Sequence, residues 1–158
     1  MYNRINMSQI FVLDLDKAID FYVNTIGLEL TNDMDLGFMR WVTVGVAGQP
    51  GRDVLLELPG PPGMDEKSAS QVREIVTKGA TGFVLGLVTD DAMKTYETLK
   101  AKGVEFTSQP EEHFYGIDFG LRDPFGNNLR ITQLATSDNG MPKNMEGRPV
   151  NTRKGAAR

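Results

Sequence analysis

The sequence predicts an α+β fold built from two copies of a strand–helix–strand–strand–strand unit. Three observations carry this. First, residues 76 positions apart match: Val12 with Val88, Asp14 with Asp90, and Gly27–Leu30 with Gly103–Phe106. Second, each predicted helix ends at a glycine, Gly27 or Gly103, as a left-handed cap requires. Third, the segments after each helix alternate apolar and polar residues with the period of a strand. A repeat that preserves element order governs the fold prediction.

Residues 5–13 read as a buried strand, and Asp14 or Asp16 can cap the helix that follows. Ala18, Phe21, Tyr22, Thr25 and Ile26 fall on one face of that helix. Residues 28–33 form a short strand. Residues 37–46 form a longer one, with Phe38, Arg40, Val42 and Val44 on one side and Met39, Trp41 and Thr43 on the other. Residues 53–60 form the next strand, ended by Pro59, Gly60, Pro61 and Pro62. In the connection 61–80, Asp65 caps a short helix carrying Ala69, Val72, Ile75 and Val76, which stops near Gly79. The pattern then returns. Residues 81–91 read as a buried strand, and 92–102 as a helix with Met93, Tyr96 and Leu99 inward. Residues 104–109 form a short strand. Residues 113–122 and 127–134 form two more, joined across Asp123–Gly126. A slip of one residue within the helices brings Phe21 over Tyr96.

The chain has 158 residues, 40% hydrophobic and 24% charged. That suits one soluble domain, residues 1–135, with modules at 1–60 and 81–135 and the connection between them. The net charge of −4 argues against a general affinity for nucleic acid. Residues 136–158 hold five basic and two acidic side chains, leaving 12 basic and 19 acidic before them. This basic tail reads as extended or disordered. A basic tail on an acidic body suits lying across a second subunit. The absence of cysteine excludes disulfides and thiolate chemistry. No apolar run reaches the roughly 18 residues of a membrane span, and the N-terminus lacks a signal-peptide core. No membrane partner and a cytoplasmic location are expected.

Residues 12–30, "VLDLDKAIDFYVNTIGLEL", resemble the opening of a vicinal oxygen chelate module. Residues 115–131, "YGIDFGLRDPFGNNLRI", resemble the closing strands of a second. That superfamily includes glyoxalases, ring-cleaving dioxygenases, bleomycin-binding resistance proteins and fosfomycin-modifying enzymes. The resemblance covers about residues 5–135. It implies two tandem βαβββ modules whose eight strands form an incompletely closed barrel, with helices outside and a ligand on the concave face.

Metal-dependent members of the family place a histidine or glutamine in each module's first strand and a carboxylate in a module's last strand. By spacing, these positions hold Met7, Val84 (or Phe83) and Arg130. Glu57 survives near the last-strand position of the first module. Gln9 is the nearest alternative in the first strand, two residues out of place. One carboxylate does not hold a catalytic ion, which needs about three protein ligands. A guanidinium at another vertex repels it. No metal and no cofactor are expected.

Arg130 alternates with Leu129 and Ile131, so it faces the cavity. It is either a fixed cation for an anionic or carbonyl-bearing ligand or half of an internal ion pair with Asp118. Met39 and Trp41 line a pocket for a flat ligand or fill a plain core. Gln9 and Phe11 share the inward parity. Glu57 is a remnant ligand, a base, or the partner of Arg40 or Arg130. His113, the single histidine, lies beside Glu111 and Glu112 at a strand end, where solvation competes with proton transfer as its role. Tyr115, Ile117, Phe119 and Leu121 read as helix-facing core.

The expected function is binding of a small organic ligand in the concave cavity, as in the bleomycin-resistance branch. The ligand-binding candidates are Gln9, Phe11, Met39, Trp41, Glu57, Asp118 and Arg130. The resemblance implies a homodimer. The competing readings are a lyase, isomerase or ring-cleaving dioxygenase, a metal-free enzyme using Glu57, His113 or Arg130, and a regulatory or structural protein with a collapsed cavity.

Overall fold

A computed structural model describes Met1 and residues 4–136. The basic tail expected at 136–158 lies outside the described residues apart from Thr136. The fold is mixed α+β. Its strands form two sheets, one ordered β1-β4-β3-β2 and the other β5-β9-β8-β6 with β7 paired to β8. The chain divides into two compact units. The first is Met1–Val84 with Arg122–Asn128; the second is Leu85–Leu121 with the chain from Leu129.

In the first unit β1 (Met7–Phe11) leads into α1 (Leu15–Ile19), which continues as a π-helical segment over Asp20–Thr25. Asp14 caps α1 by accepting a hydrogen bond from the Lys17 backbone N–H. The helix closes at Gly27 (φ 92°), where Leu28 N–H reaches back to Tyr22 C=O. β2 (Glu29–Asp35), β3 (Arg40–Gly45) and β4 (Asp53–Glu57) follow, with β1 parallel to β4 and the other pairs antiparallel. α2 (Glu66–Thr77) starts at the Asp65 cap and ends at Gly79. Ala69 and Val76 are buried on it, but Ile75 is 45% exposed, against expectation.

One face of the first sheet is core. Ile10, Leu56 and Val42 sit side by side in register and are at most 2% exposed, with Val54 and Val44 beside them. Burial of such side chains supplies roughly 1.5–3 kcal/mol each. The β8–β9 turn belongs to this unit. Asp123 Oδ1 accepts from the backbone N–H groups of Phe125, Gly126 and Asn127. Asn127 Nδ2 donates both to Phe11 C=O and to Asp123 Oδ2. Gly126 (φ 113°) passes so close to α2 that a β-carbon would come within 2.3 Å of Val76 C=O.

In the second unit α3 (Ala92–Ala101) is capped by Asp91, and Tyr96 and Leu99 are buried. Tyr96 packs on Phe106 and Phe119, with ring centroids 4.4 and 5.5 Å away. Met93, expected inward, is 52% exposed. β5 (Phe83–Val88) was expected to be buried. It is an edge strand with Phe83 69% and Val88 67% exposed, because β9 covers one side only. β6 is Glu105–Phe106. The single strand expected over 113–122 is a hairpin, β7 (Glu111–His113) and β8 (Gly116–Arg122), turning at Phe114 and Tyr115. Gly116 (φ 141°) supplies the backbone conformation that breaks the run. Tyr115 therefore lies in a turn, half-buried, and is not helix-facing core. Phe119 and Leu121 of β8 are fully buried, as are Leu129 and nearly so Ile131 of β9 (Asn128–Leu134).

Candidate ligand-binding site

The face of the first sheet opposite the Ile10–Leu56–Val42 core carries five of the seven candidates. Phe11 stands across from Glu57, and Gln9 across from Leu55. Val42 pairs with Leu56, so the register brings Trp41 beside Glu57, and Met34 pairs with Trp41. Phe11, Glu57, Trp41 and Met34 thus form one row. Gln9, Leu55, Thr43 and Asn32 form the next. Thr43 accepts from Asn32 Nδ2 at 2.9 Å, and its hydroxyl shares a hydrogen bond with Thr31 at 2.7 Å. Leu55 and Thr43 are buried, Gln9 is exposed, and Phe11, Trp41 and Glu57 are half-buried. Met39 precedes β3 and is half-buried. Met39 and Glu57 both line a hollow of about 170 Å³ walled by Leu15, Phe38 and Pro61.

Glu57 does not pair with Arg40, one of the partners expected for it. Arg40 is held by Asp33 through Nε and Nη2 at 2.8 Å, and by Asp16 at 2.7 Å. The cross-strand Asp33 and the helix-start Asp16 reach Arg40 on the other side of the strand. Among the described residues no cation pairs with Glu57. Partial burial pushes its carboxyl above the ordinary range.

The other two candidates sit on the second sheet. Arg130 donates from Nε to Asp118 Oδ2 at 3.1 Å and from Nη2 to the same oxygen. The internal ion pair expected for Arg130 is present, and it raises the guanidinium pKa further. Tyr115 donates its hydroxyl to Asp118 Oδ2 at 3.1 Å. Burial and that neighbouring carboxylate raise the Tyr115 phenol. Asp118 is 5% exposed and its Oδ1 has no hydrogen-bond donor. Oδ1 lies 3.3 Å from His113 Nε2, an ion-pair distance rather than an aligned hydrogen bond. The His113 ring stacks on Tyr115, with centroids 5.0 Å apart. His113 is therefore not simply a solvated strand end. The β7–β8 hairpin folds it back over Asp118, which a continuous strand forbids. Gly120 is needed beneath this group, since a β-carbon there would meet Thr107 Oγ1 at 2.3 Å.

Sequence reasoning passed over Asn32, Met34 and Leu55. Parity on β2 could have found Met34, but the bulge between Leu30 and Asn32 shifts the register.

A family model for the Glyoxalase/Bleomycin resistance protein/Dioxygenase superfamily matches residues 4–131. YurT, an uncharacterised protein of Bacillus subtilis (strain 168), is 32% identical over 131 residues, covering 82% of this chain and 98% of YurT. Among solved structures, UcmS2 superposes with a TM-score of 0.78 at 35% identity, over 84% of this chain and 98% of UcmS2. TnmS3, an antibiotic-binding protein from Streptomyces sp. CB03234, superposes with a TM-score of 0.68 at 25% identity, over 85% and 98%.

Proposed function

The chain belongs to the Glyoxalase/Bleomycin resistance protein/Dioxygenase superfamily, and from that premise we propose that it binds a small organic ligand without a metal ion. The ligand rests on the face of the first sheet that carries Gln9, Phe11, Met39, Trp41 and Glu57. Asp118 and Arg130 are the polar candidates of the second sheet. The observation that carries this reading is the row Phe11, Glu57, Trp41. Two half-buried aromatic side chains flank a carboxylate that no described cation neutralises and that burial holds above its ordinary pKa. Uncompensated, such a group is unfavourable. A ligand with a donor group and an apolar body relieves it. The antibiotic-binding relative TnmS3 supports a binding role.

The donor set does not suit the divalent ion used elsewhere in the family. Among the described residues no three His, Asp or Glu side chains are placed to hold a metal ion. Arg130, at the family's carboxylate position, is committed to Asp118. The same reading takes the protein as cytoplasmic and homodimeric. Among the described residues no helix is long and apolar enough to cross a membrane. The apolar edge strand β5, with Val88 67% exposed, supports a second copy as its cover. Sedimentation should give a dimer that Val88→Lys dissociates; a monomeric parent chain overturns that part.

Trp41 is the single tryptophan, so its fluorescence reports directly on the face. A metabolite and antibiotic screen should yield at least one compound that changes this signal saturably. The same compound should stabilise the fold by about 2.7 kcal/mol at a hundredfold excess over Kd. A binder that leaves Trp41 unaffected, or a library without binders, counts against the reading.

One observation favours a second reading. Asp118 beside His113 orients an imidazole at a half-exposed position, an arrangement suited to proton transfer. Turnover of a bound compound that His113→Gln abolishes, with binding retained, would establish it. Binding without turnover leaves the binding role.

A further inference from the structure

A cleft of about 580 Å³ opens at the other end of the first sheet, where β1 and β4 begin. It uses none of the seven candidates. Its wall combines Ile5 and Met7, 82% and 38% exposed, with the basic residues Arg4 and Arg52. Asp53 is the one carboxylate in the lining, so the cleft carries a net positive charge on a chain whose net charge is −4. Among the described residues neither arginine forms an ion pair. Arg4 donates to Asn6 Oδ1 at 3.3 Å, a neutral acceptor.

The Arg4 guanidinium lies against the β3–β4 turn. Gly51 has φ 77°, and a β-carbon there would come within 2.9 Å of Arg4 Nη1. The missing side chain at Gly51 leaves room for the guanidinium beside the turn. Met7 pairs with Asp53 in register, so the lone carboxylate of the lining stands beside the apolar wall. Arg4 and Arg52 both line this hollow, and two like charges on one wall favour an anion between them. Arginine forks match the paired oxygens of carboxylate and phosphate. The volume falls in the range of small-molecule sites.

We propose that this cleft binds a small amphiphilic anion, its carboxylate or phosphate held by Arg4 and Arg52 and its apolar part lying on Ile5 and Met7. The shared chemistry is an anionic oxygen cluster on a hydrocarbon body.

The test is calorimetric titration of the full chain with octanoate, octyl phosphate and octan-1-ol. Both anions should bind and the alcohol should not, and affinity should fall with added salt. The tighter anion assigns carboxylate or phosphate. Arg4→Gln with Arg52→Gln should weaken binding by about tenfold or more, the scale of a charge-assisted hydrogen bond. Lys100→Gln, which removes a cation outside the cleft lining, should leave it unchanged. Circular dichroism confirms that each variant is folded, and amide shifts at Gly51 and Met7 locate the ligand. Equal binding of the alcohol, unchanged affinity in the double variant, or no binding of either anion overturns the proposal. None of these results depends on the Trp41 face, which is read separately by fluorescence.

Discussion

The Tyr22 hydroxyl donates a 2.9 Å hydrogen bond to Asp123 Oδ2, joining residues 101 positions apart. Asp123 meanwhile accepts three backbone N–H groups through Oδ1 and the Asn127 amide through Oδ2. The Asp123–Asn127 turn is thus tied to the first helix and to the end of β1. Removing the aspartate leaves several buried donors unpaired, whereas removing the tyrosine hydroxyl leaves Oδ2 still bonded to Asn127. Tyr22→Phe should cost about 1–2 kcal/mol and Asp123→Ala roughly 3–5 kcal/mol. Urea denaturation measures both, and equal losses would show that the turn is not organised around the carboxylate.

Burial, with Asp123 adding to it, pushes the Tyr22 phenol far above its ordinary value. The proton is held in the folded state and released from the unfolded one. Stability from this group is therefore complete below the unfolded value near pH 10 and falls as pH rises beyond it. The parent chain should lose more stability than Tyr22→Phe between about pH 9 and pH 11. Parallel slopes in that window would remove Tyr22 as the cause.

Arg130 neutralises Asp118, which is 5% exposed. Arg130→Met leaves that carboxylate buried beside Tyr115 and His113 and should cost about 3 kcal/mol. Adding Asp118→Asn removes the stranded charge and should recover part of the loss. A double-mutant cycle reads the coupling. Strict additivity would mean that the pair contributes no interaction energy.

Glu57 has a raised pKa, caused by burial. The folded state thus prefers the protonated form. Its contribution is favourable below the unfolded value of about 4.3 and is lost as pH rises through the higher folded value. Glu57→Gln should therefore raise the melting temperature more at pH 7 than at pH 4. A lower melting temperature at pH 7 would reveal a cation held by Glu57.

Much of the fold was legible because the chain repeats its punctuation. Asp14, Asp65 and Asp91 cap helices by the same side-chain contact, and Gly27, Gly79 and Gly103 end them. Strand parity placed Arg130 with Asp118 and Trp41 with Met39. The misses are tertiary. An apolar run looks the same in an edge strand as in a central one, so the exposure of β5 was hidden. Aromatic residues disguised the turn at Phe114 and Tyr115, and with it the approach of His113 to Asp118. Arg40 chose Asp33, a cross-strand neighbour fixed by the β2 bulge, over Glu57.

Binding on the face that carries Trp41 and Glu57 is expected to be independent of metal. Its most direct measurement is a Trp41 fluorescence titration with a screened ligand, before and after exhaustive chelation. The same saturable curve is expected in both, weakened by Glu57→Gln. A response that chelation abolishes and a divalent ion restores would contradict it.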